Sequence, residues 1–160
     1  MKMKKTIGIL LLVVFMAVAV VGCEKQPAAD GDKAAGDIKI HVGVVEPVTG
    51  PQAPLGQAEY DGIQMAIEMI NEKGGVMGKY PITFDFADSQ SDPAIGASEA
   101  ERLITSKSVP VLMGSYSSAI AAAISEVAER NQVVLWEMSG AADALLLKGY
   151  EWTFRNEANA

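Results

Sequence analysis

From Ile38 onward, short runs of β-branched and other apolar residues alternate with longer stretches whose apolar residues recur at helical spacing. That alternation constrains the fold more than anything else in the chain. Consecutive strands separated by helix-length segments cannot be hairpin partners, so they pair in parallel through helical crossovers that cover both faces of the sheet. The expected class is α/β, an open parallel sheet with helices on both faces. Ile38 to Val45 reads as the first strand. Gln57 to Lys73 reads as a helix, with Ile63, Ala66, Ile67 and Ile70 at i, i+3, i+4 and i+7, stopped by Gly74-Gly75. Ile82 to Ala87 is the second strand. Asp92 followed by Pro93 signals a helix start, carboxylate at the N-cap and proline at the first helical position, for a helix running to about Ser106. Val109 to Met113, a helix bearing Ile120, Ile124 and Val127, and Val133 to Trp136 follow, with Trp152 to Phe154 a candidate fifth strand.

In this arrangement the connections Glu46 to Gly56, Asp88 to Asp92, Gly114 to Ser118 and Glu137 to Ala141 all leave the carboxyl ends of strands. That is the edge at which open parallel sheets bind ligands. Gly74 to Tyr80 and Asn131-Gln132, at the other edge, read as plain turns.

The N-terminus carries Lys2, Lys4 and Lys5, then an apolar run from Ile7 to Val21, then Gly22 and Cys23. A charged start, a short apolar run and a small residue form an export signal, and the run is short of the roughly 20 residues that span a bilayer. Val20-Val21-Gly22-Cys23 resembles the bacterial lipobox, in which the Cys thiol receives a diacylglyceryl group before cleavage just ahead of it. Residues 1–22 are therefore expected to be a lipoprotein signal peptide and Cys23 the lipid anchor. Residues 23–37, rich in Ala, Gly, Asp and Lys, are expected to be a flexible tether. Removing residues 1–22 leaves 10 basic against 20 acidic groups, a poor surface for nucleic acid. One Cys and one His, His41, leave no basis for a disulfide or a Cys/His metal site, and no cofactor is implied. His41, on an apolar strand, reads as a packed, satisfied histidine. Met65, Met69 and Met77 read as core or surface filler.

Catalytic motifs are wanting: there is no Gly-x-Gly-x-x-Gly after a strand, no Walker-type Gly-Lys-Ser/Thr, no Gly-x-Ser-x-Gly and no His beside a nucleophile. Glu46, Asp88 and Asp92 could serve a receiver-like domain, but Asp92 is explained by capping and Asp88 by a polar turn. The informative segment is Gly114 to Ser118. Hydroxyls and free N–H groups at a helix start, with the helix dipole behind them, suit a carboxylate, and either Ser117 or Ser118 could be the donor while the other caps the helix. Ser139-Gly140-Ala141 could present main-chain groups to the same ligand, or form a simple turn. Tyr116, Leu55 and Trp136 are apolar enough to line a pocket, although Trp136 at a strand end reads more readily as core.

Several blocks together resemble the branched-chain amino-acid-binding proteins, the type I periplasmic-binding fold of ABC importers. They are Val42-Gly43-Val44-Val45 with Thr49-Gly50-Pro51 and Leu55-Gly56, Ile70-Asn71-Glu72-Lys73-Gly74-Gly75, Asp92-Pro93, Gly114 to Ser118, and Gly149-Tyr150 through Phe154-Arg155. The resemblance implies two α/β lobes closing on a ligand, with 38–154 an incomplete N-terminal lobe and 155–160 the start of a hinge, the chain being an N-terminal fragment. It implies that Ser118 holds a ligand carboxylate and that the Ser139 carbonyl takes an ammonium group. Ala141 stands where many relatives have a Thr or Ser hydroxyl, and Leu55 where many have an aromatic ring. The implied function is a non-enzymatic, exported, lipid-anchored receptor that faces the periplasm or cell exterior and passes an amino acid or similar solute to ABC permease subunits. A sensor of the same fold for amides or urea, and an exported α/β enzyme, are the alternatives.

Overall fold

The computed structural model describes residues 38–158; the signal, Cys23 and the tether lie outside them. The elements in chain order are β1 (Ile40–Glu46), α1 (Ala53–Glu72), β2 (Ile82–Asp88), α2 (Pro93–Lys107), β3 (Val111–Met113), α3 (Ser118–Asn131), β4 (Val134–Glu137), α4 (Ala144–Leu147) and β5 (Thr153–Arg155). The five strands form one sheet in the order β2-β1-β3-β4-β5, and every pairing is parallel. The class read from the sequence is the class observed.

The start of α2 and the end of α1 carry their expected signals. Asp92 accepts from the N–H groups of Ala94 (2.7 Å) and Ile95 (3.0 Å), satisfying two donors that the first turn of α2 leaves open. Asp92→Ala should cost about 1 kcal/mol, read as a lower urea midpoint at unchanged slope. At the end of α1, Gly74 and Gly75 turn with φ of 92° and 87°. Asn71 then bonds both the N–H (2.7 Å) and the carbonyl (2.8 Å) of Ile82, tying the helix end to the start of β2.

Alternation along the strands sorts the core into two layers. On one face Val42 and Val44 pack with Ile63 and Ile67 of α1. On the other, Val45, Leu112 and Leu135 meet Leu103 of α2 and Ile120 and Ile124 of α3, each of these six side chains buried.

Several boundaries differ from expectation. α1 begins at Ala53, a turn before Gln57, because Pro54 supplies a ready helical φ in the first turn; Leu55 therefore sits on the helix and not in a loop. The short α4 had no periodicity to reveal it. Trp136 is not core: it is 44% exposed, beside Phe154 at 49%. The register Met113, Trp136, Phe154 puts these side chains on the face opposite Leu135, where α1 covers β1 and β2 and no described helix covers β4 and β5. Met65, Met69 and Met77 are surface residues. His41 is satisfied as expected, bonded to Thr83 and Asp85 at 3.0 Å each.

Candidate ligand site

The chain passes from β1 outward to β2 and then back across β1 to β3, so the connections leaving β1 and β3 diverge and open a crevice at the carboxyl edge. Three loops border it: that after β1, that after β3 and that after β4.

The first loop is held from below by Asp88, whose carboxylate accepts from the N–H groups of Val48, Thr49 and Gln90 and from the Thr49 hydroxyl. Partial burial raises this carboxyl, but the hydrogen bonds outweigh it and hold it below the usual range. Ser91 adds two more ties, donating to the Thr49 carbonyl (2.7 Å) and accepting from the Gln52 N–H (3.0 Å). Asp88 is thus the polar turn residue that its position suggested.

In the second loop, Ser117 has the extended backbone of an N-cap, yet its side chain makes no capping bond. Its hydroxyl oxygen accepts from the Gln52 side-chain amide (3.3 Å), which joins the first loop to the second. Ser118 is the first helical residue of α3, and its hydroxyl oxygen accepts from the Ala142 N–H (3.2 Å), joining the second loop to the third. Neither serine hydroxyl is used up as a cap, contrary to the expectation that one of the two would cap the helix. Tyr116 is half-buried, and its N–H donates to Glu46 (3.0 Å).

The third loop is gripped from two sides. Glu137 accepts from the N–H groups of Ser139 (2.9 Å) and Gly140. Arg155, whose side chain is almost wholly buried, donates to the carbonyls of Gly140 (3.1 Å) and Ala142 (3.0 Å). Ala141 lies between those two carbonyls, and the Ser139 hydroxyl donates to Glu59 of α1 at 2.8 Å.

Of the residues singled out from the sequence, Ser117, Ser118, Ser139 and Ala141 are therefore brought into one bonded group of loops. Leu55 is 53% exposed on the first turn of α1, and none of these bonds reaches it. Sequence reasoning missed Gln52, Glu59, Glu137 and Arg155 as supports of the site. Beneath the loops sit three carboxyls. Burial and the charge of Glu59 push Glu46 up to about 9. Burial likewise raises Glu59, against the Ser139 hydrogen bond that lowers it, and raises Glu137 against its backbone donors. Among the described residues no group of His, Cys, Asp and Glu is placed to hold a metal ion.

A family profile described as periplasmic binding protein matches residues 39–158. Leu/Ile/Val-binding protein homolog 7 of Brucella abortus is 38% identical over 122 residues, which is 76% of this chain and 30% of that protein. Among solved structures, the branched-chain amino acid transporter substrate binding protein LivJ from Streptococcus pneumoniae, in complex with isoleucine, superposes with a TM-score of 0.71 at 30% identity, covering 76% of this chain and 34% of that one. The leucine binding protein LivK from Thermotoga maritima gives 0.67 at 27% identity, covering 75% and 33%. The chain spans about a third of the length of the relatives it matches.

Proposed function

The chain belongs to the periplasmic binding protein family, and from that premise we propose that it is the first-lobe part of an extracytoplasmic receptor that binds an amino acid for an ABC importer. The observation that carries this reading is the bonded set of three loops at the sheet's carboxyl edge. It sets Ser117 and Ser118 at the start of a 14-residue helix and Ser139 across from them. The ligand carboxylate would take the Ser118 hydroxyl and the first N–H groups of α3, where the helix dipole favours negative charge. Its ammonium group would lie at Ser139, with the main chain of Ala141 beside it and Tyr116 and Leu55 bordering the mouth. The second wall would come from chain beyond residue 160, and residues 155–160 would lead into it. Relatives named for leucine, isoleucine and valine support an aliphatic side chain in the ligand. The lipobox at Val20 to Cys23 supports a lipid anchor on the outer face of the membrane, with residues 23–37 as tether. The mechanism is closure of two lobes on the ligand, a shift in population with no bond made or broken.

The test is a thermal-shift screen of the twenty amino acids on the whole protein. A ligand that binds only the folded state raises the melting temperature. Leucine, isoleucine or valine should do so, and Ser118→Ala should weaken that ligand by roughly tenfold to a hundredfold, the loss of a hydrogen bond to a charged group. No shift with any amino acid sinks the reading.

A further inference from the structure

A serine hydroxyl has one proton to give and two lone pairs to accept with, so a partner inside the protein decides what it can still offer a ligand. At Ser118 the partner is a main-chain N–H, that of Ala142. A donor there can only occupy a lone pair, so the Ser118 proton remains free for an anionic acceptor. Ser117 receives the Gln52 amide in the same sense. Ser139 is arranged the other way. Its proton goes to Glu59 at 2.8 Å, leaving only lone pairs for the ligand. Donors thus gather at the start of α3 and an acceptor stands on the loop after β4.

Resting on the function proposed above, we infer that Glu59 is a positioning residue that makes Ser139 read a positively charged group: it holds the Ser139 hydroxyl as a hydrogen-bond acceptor and stands a carboxyl directly behind it. Glu59 is well placed for this because it is half-buried. It lies among Val42, Ile63, Met113 and Met138, at the rim of an apolar cavity of about 260 Å³ between α1 and the sheet. Its second carboxyl oxygen is buried with no hydrogen-bond partner among the described residues. The acidic groups around it are Glu46 from β1, Glu137 from β4 and Glu157 after β5, and Arg155 of β5 stands in the same group of loops on the Gly140 and Ala142 carbonyls. Burial raises its carboxyl, and so do the charges of Glu137 and Glu157, while the Arg155 guanidinium lowers Glu137 and holds the carbonyls of the same loop. An ammonium group arriving at Ser139 adds a positive charge beside Glu59 and favours the ionised carboxylate, which in turn can only accept from Ser139. Affinity for a zwitterion should therefore rise with pH as Glu59 ionises, while a ligand without the ammonium group gains nothing.

The experiment compares leucine with 4-methylpentanoate, which is leucine without its amino group, by calorimetric titration of the whole protein, wild type, Glu59→Gln and Ser139→Ala. Wild type should prefer leucine by about a hundredfold or more. Glu59→Gln, close in shape to the parent, should lower leucine affinity by about tenfold or more while moving 4-methylpentanoate by no more than about twofold, in line with the loss of one charge-assisted contact. It should also flatten the rise of leucine affinity with pH. Ser139→Ala removes the acceptor itself, together with its bond to Glu59, and should reduce the same preference. A residue needed only for folding would weaken both probes together. Leucine binding with wild-type preference retained in either folded variant, or equal loss of both probes, overturns the role of Glu59 while leaving the receptor reading intact. A wild-type protein that takes 4-methylpentanoate as well as leucine also overturns it. If wild type takes neither probe and no other amino acid, the receptor reading and this inference fall together.

Discussion

Glu46→Gln should make the protein more stable at pH 7 by about 2 kcal/mol, an unusual sign for a change at a residue with no exposed surface. Glu46 ends β1 fully buried, and burial, the charge of Glu59 and that of Glu137 together lift its carboxyl from the ordinary 4.5 to about 9, against the Tyr116 N–H that lowers it. A folded-state value above the unfolded one means that the folded protein binds the extra proton between those two pH values, so stability falls as pH rises from about 4.5 through about 9. At about 1.4 kcal/mol per pH unit, the span from 4.5 to pH 7 amounts to roughly 3 kcal/mol. The glutamine amide stays neutral at every pH and escapes that penalty. Its oxygen can still accept from Tyr116, but its NH2 must find partners in a dry site, which brings the gain down to about 2 kcal/mol. Urea melts at pH 5, 7 and 9 read the outcome. The variant's advantage should be near zero at pH 5 and largest at pH 9. An advantage that is the same at all three values, or a loss at pH 9, would show that the carboxyl is not held protonated by its surroundings.

The same carboxyls explain why a stability cost persists at this edge of the sheet. Glu46 holds the Tyr116 N–H, Glu137 holds those of Ser139 and Gly140, and Glu59 holds the Ser139 hydroxyl. Each secures a loop that borders the crevice, and each is raised by burial. A more stable arrangement would replace them with apolar groups, at the expense of the loop geometry that a ligand must meet.

The parts of this fold that follow from local periodicity were legible. Strands β1 and β2, α1 with its Gly74-Gly75 stop, and the Asp92-Pro93 start of α2 each carry a pattern or a cap whose physics is confined to a few neighbouring residues. Ser117, Ser118 and Ser139 were legible as site candidates because hydroxyls beside a helix start or a strand end have few other uses there. Their partners were not. Gln52 reaches Ser117 across 65 positions and Glu59 reaches Ser139 across 80, and nothing local encodes either distance. A faint signal did exist for Glu59: it falls four residues before Ile63 and eight before Ile67, the two buried isoleucines of α1, so a charge stands in the helix's inward stripe. Trp136 was misread for a related reason. Which helix covers a given strand face depends on the order of strands in the sheet, and that order is not a local property.

Gly114→Ala is expected to lower stability by about 3 kcal/mol or more and to abolish ligand binding in whatever protein remains folded. Gly114 follows β3 with φ of 124°, outside the region that a residue with a Cβ occupies without strain, which alone costs about 1–3 kcal/mol. A methyl group there would lie 2.2 Å from the Val45 carbonyl oxygen and 2.9 Å from the Glu46 carboxyl. Those atoms belong to β1, so relief requires β3 and β1 to move apart at the crevice, adding a further cost of about 1–3 kcal/mol typical of overpacking. The same movement draws Tyr116 away from Glu46 and shifts the start of α3, which carries Ser117 and Ser118. Gly62→Ala is the matched control. It is exposed on α1 at the outer rim of the cavity beside Glu59, with nothing within 4 Å of a new Cβ, and alanine there should stabilise the helix by roughly 1 kcal/mol. Chemical melts of the two variants, with binding of the amino acid found for the wild type, should move in opposite directions: Gly62→Ala stabilised and fully binding, Gly114→Ala destabilised and silent. A Gly114→Ala protein as stable as wild type would mean that β1 and β3 do not approach as closely at the crevice as the fold requires.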